Sequence, residues 1–443
     1  MKSLPLLIAS VLVLFSHPFA MADAVKDREG AVRGDRAAME KDARWIYNDW
    51  QKGFEEAKRQ NKPLLIVLRC VPCLACMGID AQVLLQESDV APLLDKFVCV
   101  RVINANALDL TRFQFDYDLS FSAMVFNGDG TVYGRYGSWT HQKNAQEKST
   151  AGLKETLQAA LAIHGGYPAN KESLSGKQGG PAPFKTPVEI PGLAGKYERE
   201  LNWEGKVVQS CVHCHQIGDA FRTSIWEQKK PVPAEWIFPH PGPECIGLEM
   251  DPNRAVKVTS VAKDSPAAKA GLEAGDEINS LAGQPLVSVA DLSWTLHRAP
   301  DTATLAVTVK RVGASKEMTL ELSGPWRQKS DISRRTGTWG MRGMVTGGLL
   351  LEELPAAERE ALKLSAGALA LRAKHVGQYG KHAAAKNAGF LANDIIVEID
   401  GSSARATEAE VIGRLLTTHR IGESVKAVVV RGDKRLTFTL PMQ

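Results

Sequence analysis

Two short cysteine patterns place reactive side chains at spacings that redox and cofactor chemistry uses. Cys211-Val212-His213-Cys214-His215 reads C-x-x-C-H. Two thiols three positions apart lie on adjacent faces of one helical turn, where each can add to one vinyl group of a haem. The histidine that follows can then turn a ring nitrogen onto the iron. The spacing predicts a covalently held c-type haem on Cys211 and Cys214, with His215 as the iron ligand. The same residues also suit a zinc site completed by Cys245 or His240, or a redox disulfide. The second pattern is Cys70-Val71-Pro72-Cys73-Leu74-Ala75-Cys76. Its C-x-x-C, Cys73 and Cys76, suits a redox-active dithiol, a structural disulfide or a metal site. The full C-x2-C-x2-C run also begins an iron–sulfur pattern, but no fourth cysteine follows three residues later.

The N-terminus sets the compartment for this chemistry. Lys2 precedes an apolar run from Leu4 to Phe15, and Ala20-Met21-Ala22 supplies small residues at the cleavage positions. Residues 1–22 therefore read as a signal peptide, too short in its apolar part to span a bilayer, and the mature protein is expected to start near Asp23 in the periplasm. No later segment reaches transmembrane length, and no cysteine at the cleavage point offers a lipid site. Seven cysteines remain in that oxidising setting: Cys70, Cys73, Cys76, Cys99, Cys211, Cys214 and Cys245. If haem takes two, an odd number is left, so one thiol is unpaired or pairs between molecules. The composition is that of an ordinary globular protein, with 44% hydrophobic residues, 23% charged residues and a net charge of +4 over 443 positions. That balance argues against nucleic acid or a membrane surface as the main partner, and the length calls for three to four folded units.

The first unit spans residues 23–165. Trp45, Ile46, Trp50, Phe54 and Ala57 recur at helical spacing, which predicts a helix over 40–60 ended by Asn61-Lys62-Pro63. Leu64–Leu68 is a wholly apolar run, as for a strand buried on both faces. A second strand runs from Phe97 to Val102 and contains Cys99, which reads as a buried small hydrophobe. Met124-Val125-Phe126 followed by Asn127-Gly128-Asp129-Gly130 begins a hairpin, and a last helix covers Leu153 to Ile163. Helix, strand, C-x-x-C, helix, strand, hairpin and helix resembles a thioredoxin fold. The resemblance implies that Cys73 is the attacking thiol and Cys76 the resolving one. Cys73 would then sit at a helix N-terminus, whose dipole and unpaired N–H groups favour a thiolate, and a dithiol at this spacing can close without backbone movement. The sequence departs from that family in two places. Phe121-Ser122-Ala123-Met124 offers no proline before the strand facing the cysteines, and Leu64–Leu68 offers no acid behind them.

Residues 166–195 are rich in Gly, Pro, Lys and Ser and read as a flexible tether. In 196–243, a helix is expected from Lys196 to Val208, leading into the C-x-x-C-H. Phe221, Trp226, Trp236 and Phe238 follow, with Pro239, Pro241 and Pro243. Those rings either line a porphyrin or pack on the next domain. This segment, mostly α, is short for a complete cytochrome c domain, so a neighbour is expected to complete the pocket. His240, Met250 or no residue at all would be the second axial ligand.

The rest of the chain is one module written twice, over 244–323 and 346–443. Ala270-Gly271-Leu272-Glu273-Ala274-Gly275-Asp276-Glu277-Ile278 recurs as Ala388-Gly389-Phe390-Leu391-Ala392-Asn393-Asp394-Ile395-Ile396, and Gly283 and Gly401 keep the same offset. Each copy carries a strand before this motif (Val256–Val261; Leu369–Val376). A helix follows (Ala290–His297; Glu408–Thr418), and then a β-rich end. The run from Ser265-Pro266-Ala267 to Gly283 resembles PDZ domains of exported bacterial proteases, with an α+β fold. The resemblance implies that Ile246-Gly247-Leu248-Glu249 holds a peptide carboxylate and that the helix from Ala290 forms the other wall. In the second copy Gly348-Leu349-Leu350-Leu351 plays the loop's part, with a helix (Pro355–Leu364) inserted after it. A peptide would add as a strand; the alternative is that one or both grooves are filled and serve only for packing. The connector, 324–345, holds Trp326, Trp339, Arg327, Lys329, Arg334, Arg335 and Arg342 and reads as a solvated basic strap. No G-x-S-x-G and no Ser/His/Asp set accompanies the modules, so no protease site is found.

The whole order, an α/β thioredoxin-like domain, a C-x-x-C-H segment and two PDZ domains, is similar to the bacterial thioredoxin/PDZ (seleno)protein family. The expectation is an exported redox protein performing thiol–disulfide exchange, electron transfer or both. It would carry haem c and dock a redox partner, or the C-termini of exported proteins, through its PDZ domains. The alternative is a non-enzymatic binding protein whose haem carries electrons or senses a ligand.

Overall fold

The computed structural model describes residues 27–71, 90–119, 121–137 and 150–443. The signal-peptide reading and the pair Cys73 and Cys76 lie outside the described residues. Helix α1 (Arg28–Met39) is followed by strand β1 (Trp45–Tyr47), helix α2 (Trp50–Gln60), β2 (Leu64–Arg69), β3 (Val98–Val102), β4 (Phe121–Phe126), β5 (Val132–Tyr136) and α3 (Thr150–Gly165). The expected helix over 40–60 is thus a strand and a helix. Asp49 accepts a hydrogen bond from the N–H of Lys52 and so caps α2 where it begins. Upstream, Trp45–Tyr47 joins the sheet as an edge parallel to β3. The sheet order is β1-β3-β2-β4-β5, with β2 parallel to β3 and antiparallel to β4, and the hairpin β4–β5 completes it. Residues of β2 to β5 are buried on both faces, as the apolar runs require. Cys99 is among them, and burial pushes its thiol up to about 12.

The stretch 166–195 is packed, not a flexible tether. Leu174 enters the core of the first sheet, and Lys177 is buried with its ammonium 2.6 Å from the Asp291 carboxylate. Glycine and proline here serve close packing: a Cβ on Gly176 would lie 2.6 Å from the Gln284 amide. The helix expected over Lys196–Val208 reduces to one turn, Val207–Ser210. Its N-terminus takes the Glu29 carboxylate from α1, which accepts from the N–H groups of Val207 and Val208, both at 3.0 Å. Helix α4 (Cys214–Glu227) follows.

The first repeat copy contains the pair β6 (Leu248–Met250) and β7 (Val258–Val261). Its second sheet comprises β8 (Glu277–Leu281), β9 (Gln284–Pro285), β10 (Ala303–Arg311) and β11 (Ala314–Leu322), with helix α5 (Val289–Arg298). After the connector helix α6 (Thr338–Val345), the second copy forms one five-stranded sheet: β12 (Leu349–Glu353), β13 (Leu371–Val376), β14 (Ile395–Ile399), β15 (Ser424–Arg431) and β16 (Lys434–Pro441). Its helix is α7 (Glu408–Thr418). In each copy the repeated aspartate, Asp276 or Asp394, is buried and bonded by an arginine of the β-rich end, Arg311 or Arg431, at 2.6 Å. That shared pair explains why the motif recurs.

The first copy is welded to the first sheet through α5. Asp291 accepts from the N–H of Arg135 on β5 at 3.0 Å, and Thr156 of α3 donates to the Val287 carbonyl at 3.1 Å. Gly134 of β5 makes this approach possible: a Cβ there would meet Val287 at 2.2 Å and Asp291 at 3.0 Å. Gly134→Ala is expected to cost about 1–3 kcal/mol by overpacking, read as a lower urea midpoint at an unchanged slope.

The connector is also not a solvated strap. Trp326, Arg327, Arg335 and Arg342 are buried. Arg335 pairs with Asp116 and Asp118 of the first unit, and Arg342 with Glu408 of α7. A guanidinium with a carboxylate in reach tolerates burial, which the count of basic residues does not reveal.

Candidate functional site

The C-x-x-C-H lies against the first unit. The N–H of Val212 donates to Asn106 Oδ1 at 2.7 Å, and Asn106 Nδ2 donates to the Ser210 carbonyl at 2.7 Å. One asparagine thereby fixes the backbone on both sides of Cys211. The chain turns into α4 at His213, whose N–H donates to Gln216 Oε1 at 2.8 Å. Cys214 is then the first helical residue, buried beside Phe113 and Phe115. A helix N-terminus lowers a thiol's pKa and burial raises it. Burial wins at both positions, pushing Cys211 up to about 11 and Cys214 up to about 12.

His215, one residue on, is half-buried. Its Nδ1 lies 3.4 Å from Asp219 Oδ2, and Arg222 donates to the other carboxylate oxygen at 2.5 Å. Burial pushes Asp219 up, but His215 and Arg222 outweigh it and hold the carboxyl below its usual range. With Nδ1 turned to the carboxylate, Nε2 is the nitrogen left for an iron ion, and it has no hydrogen-bond partner among the described residues. This partner was legible as spacing: Asp219 is four residues along the same helix.

The juxtaposition the sequence did not announce is between the two cysteine patterns. Cys70, at the end of β2, has its Sγ 3.2 Å from His213 Nδ1. Cys70, His213, Cys214 and His215 line one cavity of about 420 Å³, walled further by Tyr117, Asp118 and Leu119. Cys70, Cys211 and Cys214 also line a neighbouring apolar pocket of about 20 Å³. Cys214 and His215 thus face the larger cavity, whose volume is within the range of cofactor sites. Cys211 faces the small pocket, which shares Cys70 and Cys214 with it. These are the residues that could hold a covalently attached tetrapyrrole.

The other candidates fall elsewhere. Met250 is buried in the core of the first repeat copy, and Cys245 with it. His240 stacks on His297, ring centroids 4.6 Å apart, and neither His240 nor Met250 lines the cavity that His215 lines. Burial and the neighbouring His297 hold His240 well below its ordinary value. Among the described residues no three His, Cys, Asp or Glu side chains gather as metal donors, so the zinc set with Cys245 or His240 is not assembled. The aromatic residues divide between two places. Phe221 and Trp236 stack at 4.5 Å on a separate cavity of about 300 Å³, whereas Trp226 and Phe238 enter the core of the second copy. Packing on a domain was the right alternative for that second pair, but the domain is the last in the chain.

Comparison with known proteins decides what the flanking units are. A thioredoxin-like family model matches residues 45–128, and a PDZ domain model matches 245–322 and 376–442. The chain carries a thioredoxin-like domain and two PDZ domains. Among curated relatives, the probable periplasmic serine endoprotease DegP-like of Pseudomonas savastanoi pv. phaseolicola is 31% identical over 124 residues, 28% of this chain and 26% of that protein. The periplasmic serine endoprotease DegP of Escherichia coli is 35% identical over 86 residues, 19% of this chain and 18% of its own. The chain thus spans about a quarter or less of the length of these relatives. A solved HtrA-type protease with a tripeptide covers 30% of this chain and 41% of its own, at 18% identity and a TM-score of 0.19.

In the first PDZ domain the loop before β6 holds Gly247 in the left-handed region at φ 85°. In the second, Gly348 before β12 has the same φ of 85°. The two loops therefore align Gly348 with Gly247, one position from the alignment read off the sequence. Among the described residues, no helix is long and apolar enough to cross a membrane.

Proposed function

We propose that this chain is an exported redox protein in which Cys211 and Cys214 hold a c-type haem and His215 ligates its iron. The observation that carries the reading is the single cavity shared by Cys214 and His215 with Cys70 of the thioredoxin-like domain. Bound there, haem supplies one-electron transfer. The chain's own residues do the rest. Asp219, held by Arg222, orients His215 through Nδ1. Asn106 fixes the attachment segment, and Tyr117 and Leu119 wall the cavity. Cys70 belongs to the thiol pattern that continues to Cys73 and Cys76, the pair assigned to thiol–disulfide exchange. A dithiol gives up two electrons and a haem carries one, so coupling them takes two turnovers or a second acceptor. A PDZ domain docks the redox partner, or an exported protein's C-terminus, as an added strand. Residues 1–22 act as the signal peptide, and the periplasmic relatives agree with that compartment.

The test is expression with a c-haem maturation system and the spectrum of the reduced pyridine adduct. A c-type band is expected, and it should vanish in Cys211→Ala/Cys214→Ala. Absence of the band, or its survival in the double variant, overturns the reading. A second reading, a non-enzymatic binding protein whose haem carries electrons or senses a ligand, is favoured by β2. Its buried residues Leu64–Leu68 place no carboxylate behind the thiol pattern to move a proton. Thiol trapping separates the two: if Cys73 and Cys76 never cycle with reductant, and Cys73→Ser changes no reductase assay, the enzyme reading is lost.

A further inference from the structure

The two PDZ domains present the same strand edge in different chemical states. In the first, Gly247 accepts from the N–H of Ala262 at 2.8 Å and Asp251 donates to Lys257 at 2.9 Å, with Glu249 paired to Ser260 between them. Alternation along an antiparallel pair then turns the N–H groups of Leu248 and Met250 to the opposite edge. Among the described residues, nothing accepts from them. That edge is chemically open to an added strand.

The second domain repeats the ladder, with Gly348 accepting from Gly377 at 3.0 Å. Its outward residues are Leu349 and Leu351, and both are already used. Leu349 donates to the Thr346 carbonyl at 3.3 Å and accepts from the Thr346 hydroxyl at 3.3 Å. Leu351 donates to Glu408 Oε1 at 2.7 Å. Glu408 is buried at the first turn of α7, and Arg342 of the connector grips both its oxygens at 2.9 and 2.5 Å. The matching helix of the first domain has Val289 directly after its cap, Ser288, where Glu408 follows the cap Thr407. An apolar residue there leaves the first edge without an internal acceptor.

We infer that the second PDZ domain carries its own ligand: the Glu408 carboxylate, locked by Arg342, stands where the carbonyl of an added strand would bind. The groove is committed to the connector and to the haem segment, whose Phe238 packs on Gly413 of α7 and whose Val232 donates to the Leu416 carbonyl at 2.8 Å. One external peptide per chain follows, taken by the first domain. The half concerning the first domain rests on the peptide-docking function proposed above; the assignment of Glu408 does not.

Amide hydrogen exchange on the full chain tests both halves, using a pool of randomised decapeptides with free C-terminal carboxylates and the amidated pool as control. Without peptide, the Leu351 amide should exchange on the order of 100-fold more slowly than those of Leu248 and Met250. Added peptide should slow Leu248 and Met250 only. In Glu408→Gln with Arg342→Met, which keeps an acceptor but removes the charge pair, Leu351 should exchange faster and become protectable by peptide. Exchange of Leu351 as fast as Leu248 in the unaltered chain, or peptide protection of Leu351 there, overturns the assignment. If no peptide slows Leu248 or Met250 while Leu351 stays protected, peptide docking fails and the assignment of Glu408 stands.

Discussion

Asp291→Ala should lower the stability of the chain by about 3–5 kcal/mol, the cost of stranding one partner of a buried ion pair. Lys177 and Asp291 are each 1% exposed. The carboxylate does more than neutralise the ammonium, since it also accepts from the N–H groups of Arg135 at 3.0 Å and Val287 at 3.1 Å. Alanine would leave three donors without an acceptor at the junction of the thioredoxin-like domain and the first PDZ domain. The pH dependence gives the test its sign. Burial already holds Lys177 below its ordinary value despite Asp291, and losing the carboxylate lowers it further. A lysine whose folded pKa is depressed makes the unfolded chain the stronger proton binder, so stability rises with pH up to about 10.5. The deficit of the variant should therefore shrink in alkali. Lys177→Met with Asp291→Asn, which keeps an acceptor for Arg135 and removes both charges, should recover most of the loss. Urea midpoints at neutral and alkaline pH decide it; a deficit that is constant with pH would show that the charge is not the cause.

Arg335→Met should have an effect of similar size, about 3–5 kcal/mol near neutral pH, because it leaves Asp116 and Asp118 buried together. Arg335 is the cation between them, bonding Asp116 and, at 3.0 Å, Asp118. In the unaltered chain burial pushes Asp116 up, Arg335 pulls it down and Asp118 raises it again, leaving it at about 6 against an ordinary 3.8. A carboxyl with a raised folded pKa retains a proton that the unfolded chain has released. Its contribution to stability is present below the ordinary value and falls as pH rises through the interval between 3.8 and about 6. Without Arg335 that interval extends upward, so the loss should be large at pH 7.5 and much smaller at pH 5. Equal losses at the two pH values would mean that Arg335 acts through packing alone.

The repeated motif was sufficient to show one module written twice, and the apolar runs located β2, β3 and β4, whereas β1 read as part of a helix. Those signals are local: a strand buried on both faces must be apolar throughout, and a tight turn needs its glycine wherever it stands. The failures in the linking segments share one cause. Residues 166–195 and the connector 324–345 read as solvated because glycine, proline, lysine and arginine are usually exposed. Each is nevertheless buried by partners that lie far off in the chain: Asp291 for Lys177, Asp116 and Asp118 for Arg335, Glu408 for Arg342. A charged side chain's fate depends on whether an opposite charge reaches it, and residue type does not encode that.

The donor set proposed for haem, Cys211, Cys214 and His215, rests on the sequence alone, because covalent attachment and ligation depend on residue type and spacing within one turn. The sequence also determined that two PDZ domains and a thioredoxin-like sheet flank that segment. Tertiary structure decided what surrounds the donors. It placed Cys70 against His213, sent Trp226 and Phe238 into the last domain instead of the cavity, and removed His240 and Met250 from the site. It also gave the two PDZ edges different chemistry, since Leu351 meets a carboxylate and Leu248 meets none. The physical reason is that burial and hydrogen-bond partnership are set by non-local approach, which a periodicity or a motif does not record.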